Sequence, residues 1–468
     1  MPETDFDVVI VGAGVAGLSS ALSALESAKT RNYDLKVLII EKFPPDSSGG
    51  SSRYTQAYLR MKDKYHVSDY LLEDSEKFSD SQNDLEYLQK LSDATPETIK
   101  WAENHGVEFI QSQTAFLTMR LPRWQPNGGG IKVVESFLSH VKSLGAMVAY
   151  ETTMWKLSLD ENGNINGVYV RDRNGTSSKV TSKAVILASG GFSGNKGMLQ
   201  HYIGSKAATL KSHISDDRYH LGEGILTAID IGAATSGQWN SFHAEPADLR
   251  NNAVEPNVWV YQYGVLLNIY GDRFIDEGRS TIEEQFDMTS KEIFNQPSNK
   301  AFFICDRTLT EIPGYERGLL TGLLPITANN LDELAVKIGL NPGKLKKTIA
   351  EYNEAVQPGK FDPFIMDGKR TNGLSVDKTN WAEKIERPPF ICYPIECRVN
   401  FTYGGIKTDL MGRVLDTNGN AISGLYAVGE MTGLYHGKYL GGTSFLRSMV
   451  FGKIAGEAVV NELSERNY

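Results

Sequence analysis

Apolar positions along this chain gather into short unbroken runs near its two ends, with a looser and more mixed pattern between them. The first run, in "DFDVVIVGAG", predicts a strand over Val8 to Val11, and "VAGLSSALSALES" predicts a helix from about Ala16. A second strand lies in "LKVLIIEK" and ends at Glu41. Farther along, "SKAVILASGGFSGN" predicts a buried strand over Ala184 to Ala188 that runs into Ser189-Gly190-Gly191. Near the end, "GLYAVGE" predicts a strand that delivers Glu430 to the carboxyl edge of a sheet. A helix follows in "GGTSFLRSMVFGKIAG", and its first turn carries little side chain. From about 245 to 385 the pattern loosens into "AFFICDRTL", the amphipathic "LDELAVKIGLNPGKLKKTIAEYNEAV" and the polar loop "QPGKFDPFIMDGKRTNGLS". No internal repeat or low-complexity tract is present.

The first turn holds Gly12, Gly14 and Gly17 in the order G-x-G-x-x-G, with a strand before and a helix after, which is the context that gives this motif its meaning. Gly12 permits the turn, Gly14 lets the backbone approach a pyrophosphate, and Gly17 lets helix and strand pack closely. Glu41, at the end of the next strand, is placed to accept hydrogen bonds from a ribose hydroxyl pair. A dinucleotide site built on Gly12, Gly14, Ala16, Gly17, Glu41 and Lys42 is therefore expected.

Two small-residue loops point to a flavin. After Glu41 the chain enters "SSGGSSRYTQAYLR", and Gly49, Gly50, Ser51 and Ser52 allow it to pass close to a flat ring. Ala188, Ser189 and Gly190 form a second loop suited to close backbone approach. At the far end, Gly429 and Glu430 precede the last helix, whose opening amides at Ser444, Phe445 and Leu446 are placed to meet the negative charge of a reduced flavin. Gly452 and Gly456 on that helix are read as close-packing positions without a chemical role.

Composition narrows the remaining choices. At 468 residues the chain is long enough for two or three domains, or one large α/β domain with an insertion. Its net charge of −9 argues against nucleic acid and gives a membrane surface no basic patch. The three cysteines, Cys305, Cys392 and Cys397, suggest neither a zinc site nor a disulfide framework, so a reducing compartment is expected. The N-terminus has no basic leader, and no apolar run reaches membrane-spanning length, so the sequence reads as cytoplasmic.

Seven segments in family order now carry a resemblance: "VVIVGAGVAGLSSAL", "EK…GGSSRYTQAYLR", "PNGGGIKVVESFL", "AVILASGGFSGN", "YGDRFIDEG", "FTYGGIKTD" and "GLYAVGEMTG…YLGGTSFLRSMVFGKIAGE". The chain resembles the FAD-dependent flavoproteins of the fumarate reductase and succinate dehydrogenase superfamily. Within it, the chain is similar to the single-chain branch typified by tricarballylate dehydrogenase and 3-ketosteroid Δ1-dehydrogenase. The resemblance implies an α/β fold, with a Rossmann-like FAD-binding domain in two parts, 1–244 and 386–468. An inserted α+β capping domain is expected over 245–385. It also implies FAD as cofactor and hydride exchange between flavin N5 and a carbon next to an electron-withdrawing group.

Fumarate reductases polarise a substrate carboxylate with a His and an Arg, each just before a glycine pair. In "NFTYGG" and "KYLGG" those positions are Phe401 and Tyr439, so two dicarboxylate anchors are missing. Tyr439 resembles the tyrosine that the ketosteroid and tricarballylate dehydrogenases carry there; the other reading is a packed aromatic. Arg279, in the cap segment that supplies the family's proton-shuttling Arg but out of register with it, is either a shuttle or substrate clamp, or a surface partner for Glu277 or Glu283. His243 matches a substrate-binding neighbourhood and otherwise is a satisfied core residue. Tyr403 is a further proton-transfer candidate. Arg120 and Arg123 read as solvated surface residues more readily than as anion contacts.

The expected function is an FAD-dependent oxidoreductase that forms or reduces a C=C bond beside a carbonyl or carboxylate, chiefly as a dehydrogenase of a small carboxylate or ketone. The alternatives are an enoate or fumarate-type reductase, a flavin subunit that relays electrons, and an NAD(P)H-using flavoprotein. The expected partners are a small-molecule substrate and a separate electron donor or acceptor.

Overall fold

A computed structural model describes residues 5–113, 116–118, 123–214 and 220–466. The elements that place the site are, in chain order, β1 (Asp5–Val11), α1 (Val15–Thr30), β2 (Val37–Ile40), β3 (Met147–Ala149), β4 (Ser177–Leu187), β5 (Phe242–Asp248), α2 (Ile282–Asn295), β6 (Phe390–Thr402), β7 (Ala421–Ala427) and α3 (Ser444–Arg466).

Five parallel strands in the order β7-β4-β1-β2-β3 form the spine of an eight-stranded sheet. Alternate residues of β1 serve opposite faces, as the two-residue repeat of a strand requires. Val8 and Ile10 join the core under α1 and α3, whereas Val9 and Val11 join the core on the other face. The register brings the strand ends level: Val11 pairs with Ile40 and Leu187, and Leu187 pairs with Ala427. The loops at Gly12, Glu41, Ala188 and Gly429 therefore leave one carboxyl edge of the sheet side by side, where open parallel sheets bind ligands.

The two ends of the chain are held together by α1 and α3. A Cβ on Gly452 would lie 2.5 Å from the Ala16 carbonyl oxygen, and one on Gly456 would lie 2.3 Å from that of Ser20. Ser23 also donates a 2.8 Å hydrogen bond to the Lys453 carbonyl. The close-packing role read for both glycines is met by this geometry.

A second, six-stranded sheet is centred on β6, which pairs antiparallel with β5 and with strand Ala301–Cys305. This sheet departs from the 245 and 385 boundaries: β5 starts at Phe242, and its central strand follows residue 385. The reason is long-range backbone pairing, which joins His243 to Phe401 and leaves no trace in local hydrophobic pattern.

Candidate active site

Two clefts open along the carboxyl edge and share Ser51, Ser52, Glu430 and Ser448 as a common wall. The first runs from the Gly12–Gly14 turn past Glu41 and Lys42 to Ala188–Gly190 and Gly429. Gly12 has φ +109°, and a Cβ there would lie 2.4 Å from the Ala188 carbonyl oxygen, so only glycine fits this turn. Gly17 does not face the cleft; its missing Cβ lets α1 rest on the Gly12 carbonyl. Glu41 is buried, and its two carboxylate oxygens accept the Ala13 and Phe43 amides at 3.0 and 2.9 Å. Burial pushes its pKa up, opposed by those amides. Lys42 forms an ion pair with Glu223. Ser52 Oγ accepts the Val15 amide at 3.1 Å, tying the second glycine loop to the start of α1.

Both helices that begin at these clefts, α1 and α3, have no acidic residue in the first turn. Their positive ends are therefore left for an anionic group. Glu430 sits where the clefts meet, accepting the Thr402 amide at 3.2 Å and lying 3.1 Å from His220 Nδ1. Burial would lower the His220 pKa, but Glu430 outweighs it and the imidazole is held above its usual value.

The second cleft lies between α3, the Ser51–Tyr58 segment and residues of the second sheet. Tyr439 and Ser444 line it as a hydroxyl pair at the start of α3: Tyr439 Oη accepts the Ser444 amide at 3.1 Å and donates to Ser444 Oγ at 2.9 Å. The His243 ring lies 4.3 Å from that of Tyr439 and is buried among Phe286 and Phe401. Its Nδ1 is 2.9 Å from Asp287 Oδ1, and its Nε2 is 3.7 Å from Glu245 Oε1. Burial alone would lower the His243 pKa; hydrogen bonds to Asp287 and Glu245 outweigh it and raise the value. Asp287 is held well below the usual carboxylate range despite its burial, by Lys291 and then by His243.

The structure thus brings Tyr439 and His243 into one cavity and leaves the other two catalytic candidates outside it. Arg279 is exposed on a different cleft with Lys77, Glu284 and Lys438. The surface partners expected for it are also engaged elsewhere: Glu277 pairs with Arg273 at 2.6 Å and Glu283 with Arg123 at 2.7 Å. Tyr403 is buried, with its hydroxyl donating to Asp287 Oδ2 at 3.3 Å, so it supports the residue behind His243 and does not line the cavity. Ser444 and Phe445 line the cavity, whereas Leu446 turns into the core. Gly49 does not line the first cleft and instead packs on Val134.

Sequence reasoning missed several residues. Arg123, read as surface, is buried at the cavity wall, and Glu283 at the start of α2 joins it to Arg60. Arg120 lies outside the described residues. Tyr58, Glu245 and Glu255 also line the cavity. Burial first, and then the charge of Glu245, push the Glu255 pKa up to about 8.

A parallel sheet carrying a G-x-G-x-x-G turn, a buried acid and two acid-free helix starts defines a dinucleotide-binding protein. A family model described as FAD binding domain matches residues 7–446, and this chain belongs to that family; with the reductases among its relatives, it is an FAD-dependent oxidoreductase. It is 26% identical to a probable fumarate reductase, Ifc3, of Shewanella frigidimarina, over 97% of this chain and 75% of the relative. It is also 26% identical to an NADH:acrylate oxidoreductase of Vibrio harveyi, over 97% of this chain but only 50% of the relative. Among solved structures, 3-ketosteroid Δ1-dehydrogenase from Sterolibacterium denitrificans matches with a TM-score of 0.74 at 18% identity, covering 98% of this chain and 100% of that one. That likeness is one of fold.

The residues present fit FAD. Gly12, Gly14 and the start of α1 would hold the pyrophosphate, Glu41 the ribose hydroxyls, and the start of α3 the pyrimidine rim of the flavin.

Proposed function

We propose that this chain forms or reduces a C=C bond next to a carbonyl or carboxyl group, and that it works chiefly as a dehydrogenase of a small ketone or carboxylate. The observation that carries this reading is the placement of the Tyr439–Ser444 pair and His243 in one cavity that shares a wall with the FAD cleft. Bound FAD supplies a ring that accepts or gives a hydride.

The chain's own residues supply the rest. Tyr439, turned from Ser444 Oγ toward the substrate, donates a hydrogen bond to the carbonyl or carboxyl oxygen, and the start of α3 adds its positive end. His243 keeps one proton on Nδ1 against Asp287, while Nε2 and Glu245 form the pair that takes up or releases the proton of the neighbouring carbon. Phe286, Phe401 and Trp259 line the cavity and keep water away from the reacting carbons.

The reverse direction is favoured by the names of the two relatives, one a fumarate reductase and the other an acrylate oxidoreductase. Against fumarate itself stand Phe401 and Tyr439 at the positions of the two missing anchors. A cytoplasmic location and a separate electron acceptor belong to the same proposal; Cys305, Cys392 and Cys397 are all free. Among the described residues no helix is long and apolar enough to cross a membrane.

Anaerobic mixing tests the reading. Saturated ketones or carboxylates should bleach the oxidised flavin, and enoates should restore the colour of the reduced one. Rapid bleaching by NADPH, with no response to either class, would overturn it.

A further inference from the structure

The cap side of the substrate cavity carries a set of polar groups that, Glu245 apart, the proposed chemistry does not use. Glu245 on β5 and Glu255 in the following loop both line it, and each lies within electrostatic reach of Tyr58 on the facing loop. Three further residues line the same cavity with polar atoms left open. Trp259, 6% exposed, has no partner for its indole Nε1–H. His213, 4% exposed, lies against the side chain and backbone of Glu245 and keeps a ring nitrogen open. Asn400 turns toward Glu245 and leaves its Oδ1 without a donor.

Buried polar atoms without partners are costly, and inside a cavity that opens beside the flavin cleft ordered water or a bound ligand satisfies them. The unmet demand here is specific. Asn400 Oδ1 and the Glu245 carboxylate are acceptors, so the ligand must bring hydrogens, while Glu255, raised to about 8, both donates and accepts as an uncharged carboxyl. His213, pushed down to about 4 by burial, is neutral and offers a ring nitrogen to the ligand. Trp259 adds a single donor.

The charges among the described residues weigh against a polyanion. Among the described residues lining the cavity, the cationic side chains are Arg123, Arg447 and His243, and each is already held. Arg123 is paired with Glu283, Arg447 donates to the Thr432 carbonyl at 3.1 Å, and His243 is paired with Asp287. Among the described residues of this wall, a second carboxylate would find no cation without a partner and would face the charge of Glu245, whereas Glu255, raised to about 8, is an uncharged carboxyl at neutral pH. Desolvating a charge next to like charges is strongly unfavourable.

We propose that Glu245, Glu255, His213, Trp259 and Asn400 form a specificity subsite for an uncharged or cationic hydrogen-bond donor on the substrate, such as a hydroxyl, amine or imidazole. This group is distinct from the carbonyl or carboxyl held at Tyr439, and the subsite rejects a second carboxylate in its place. The inference rests on the cavity being the enoate or enone site proposed above, and it separates di- and tricarboxylates from the substrates that fit.

Four cinnamates that share one enoate head test it: the para-hydroxy, para-aminomethyl, unsubstituted and para-carboxy compounds. Each is titrated into the oxidised, FAD-loaded protein while the flavin absorbance is followed. The hydroxy and aminomethyl compounds should bind about tenfold or more tightly than cinnamate, and the carboxy compound about tenfold or more weakly. In Glu245→Gln, checked for full flavin content, the penalty on the carboxy compound should fall. If the carboxy compound binds as tightly as the hydroxy one to the unaltered protein, the subsite is overturned while the enoate reading stands. If none of the four perturbs the flavin, the enoate reading is overturned and this inference with it.

Discussion

His243 and Asp287 are joined by a 2.9 Å contact between Nδ1 and Oδ1, and the other Asp287 oxygen receives Lys291 Nζ at 2.8 Å. This contact fixes the ring's orientation at the cavity and, together with Glu245, overcomes the effect of burial on its protonation. Asp287→Asn should lower the His243 pKa and move the corresponding limb of the pH–rate profile for flavin bleaching toward acid. The stabilising contribution of the raised imidazole is full below about 6.5, its unfolded value, and is lost as pH rises through the folded one. Thermal unfolding followed upward from that pH should therefore show a loss of stability in the parent protein that is smaller in the variant.

Tyr439→Phe removes the donor expected to polarise the substrate, and it also removes the acceptor for the Ser444 amide. The flavin half-reaction should slow by about 100-fold, the cost of one missing donor to a developing negative charge. Flavin content should be unchanged, and the lost helix cap should cost about 1 kcal/mol in denaturant unfolding. An unaltered half-reaction would make Tyr439 a packing residue.

Arg60 and Arg123 meet at the same carboxylate oxygen of Glu283, at 3.3 and 2.7 Å. Arg60 keeps a second partner in Asp74, whereas Arg123 is fully buried and has no other carboxylate among the described ion pairs. Glu283→Gln should destabilise the fold by about 3 kcal/mol, because it leaves a buried guanidinium uncompensated. Equilibrium unfolding measures this directly.

Gly456→Ala places a Cβ where only 2.3 Å separates it from the Ser20 carbonyl oxygen, so α1 and α3 must move apart. A loss of about 1–3 kcal/mol is expected. Because the two helix starts flank opposite parts of the flavin site, FAD should also be released more readily during gel filtration.

The sequence revealed what depends on neighbours in the chain. The glycine turn at Gly12, the acid at Glu41 and the strand into Glu430 each combine a local apolar run with residues that only a few geometries accept, and all three meet at one sheet edge. Tyr439 and His243 were legible through the motifs around them, and both line the cavity. Arg123 was not, because "MRLPRWQPNGGG" is polar throughout and its burial depends on Glu283, far along the chain. Asp287 stands among polar residues of α2, and nothing in "EEQFDMTSKE" singles out the one that turns inward to His243. Arg279 followed a motif already out of register, and the fold carries it to another cleft. The reach of the second sheet past 245 and 385 was hidden for the same reason, since β5 and β6 find each other across about 150 residues.

The most direct test is to count alkene against flavin in one anaerobic experiment. FAD-loaded protein is mixed with a saturated ketone or carboxylate that bleaches it, and the organic product is identified by NMR. Carbon–carbon desaturation predicts one new C=C bond beside the carbonyl or carboxyl group for each flavin bleached, with less alkene per unit time but the same stoichiometry in Tyr439→Phe. Bleaching that yields an oxidised alcohol or amine, with no alkene formed, would contradict it.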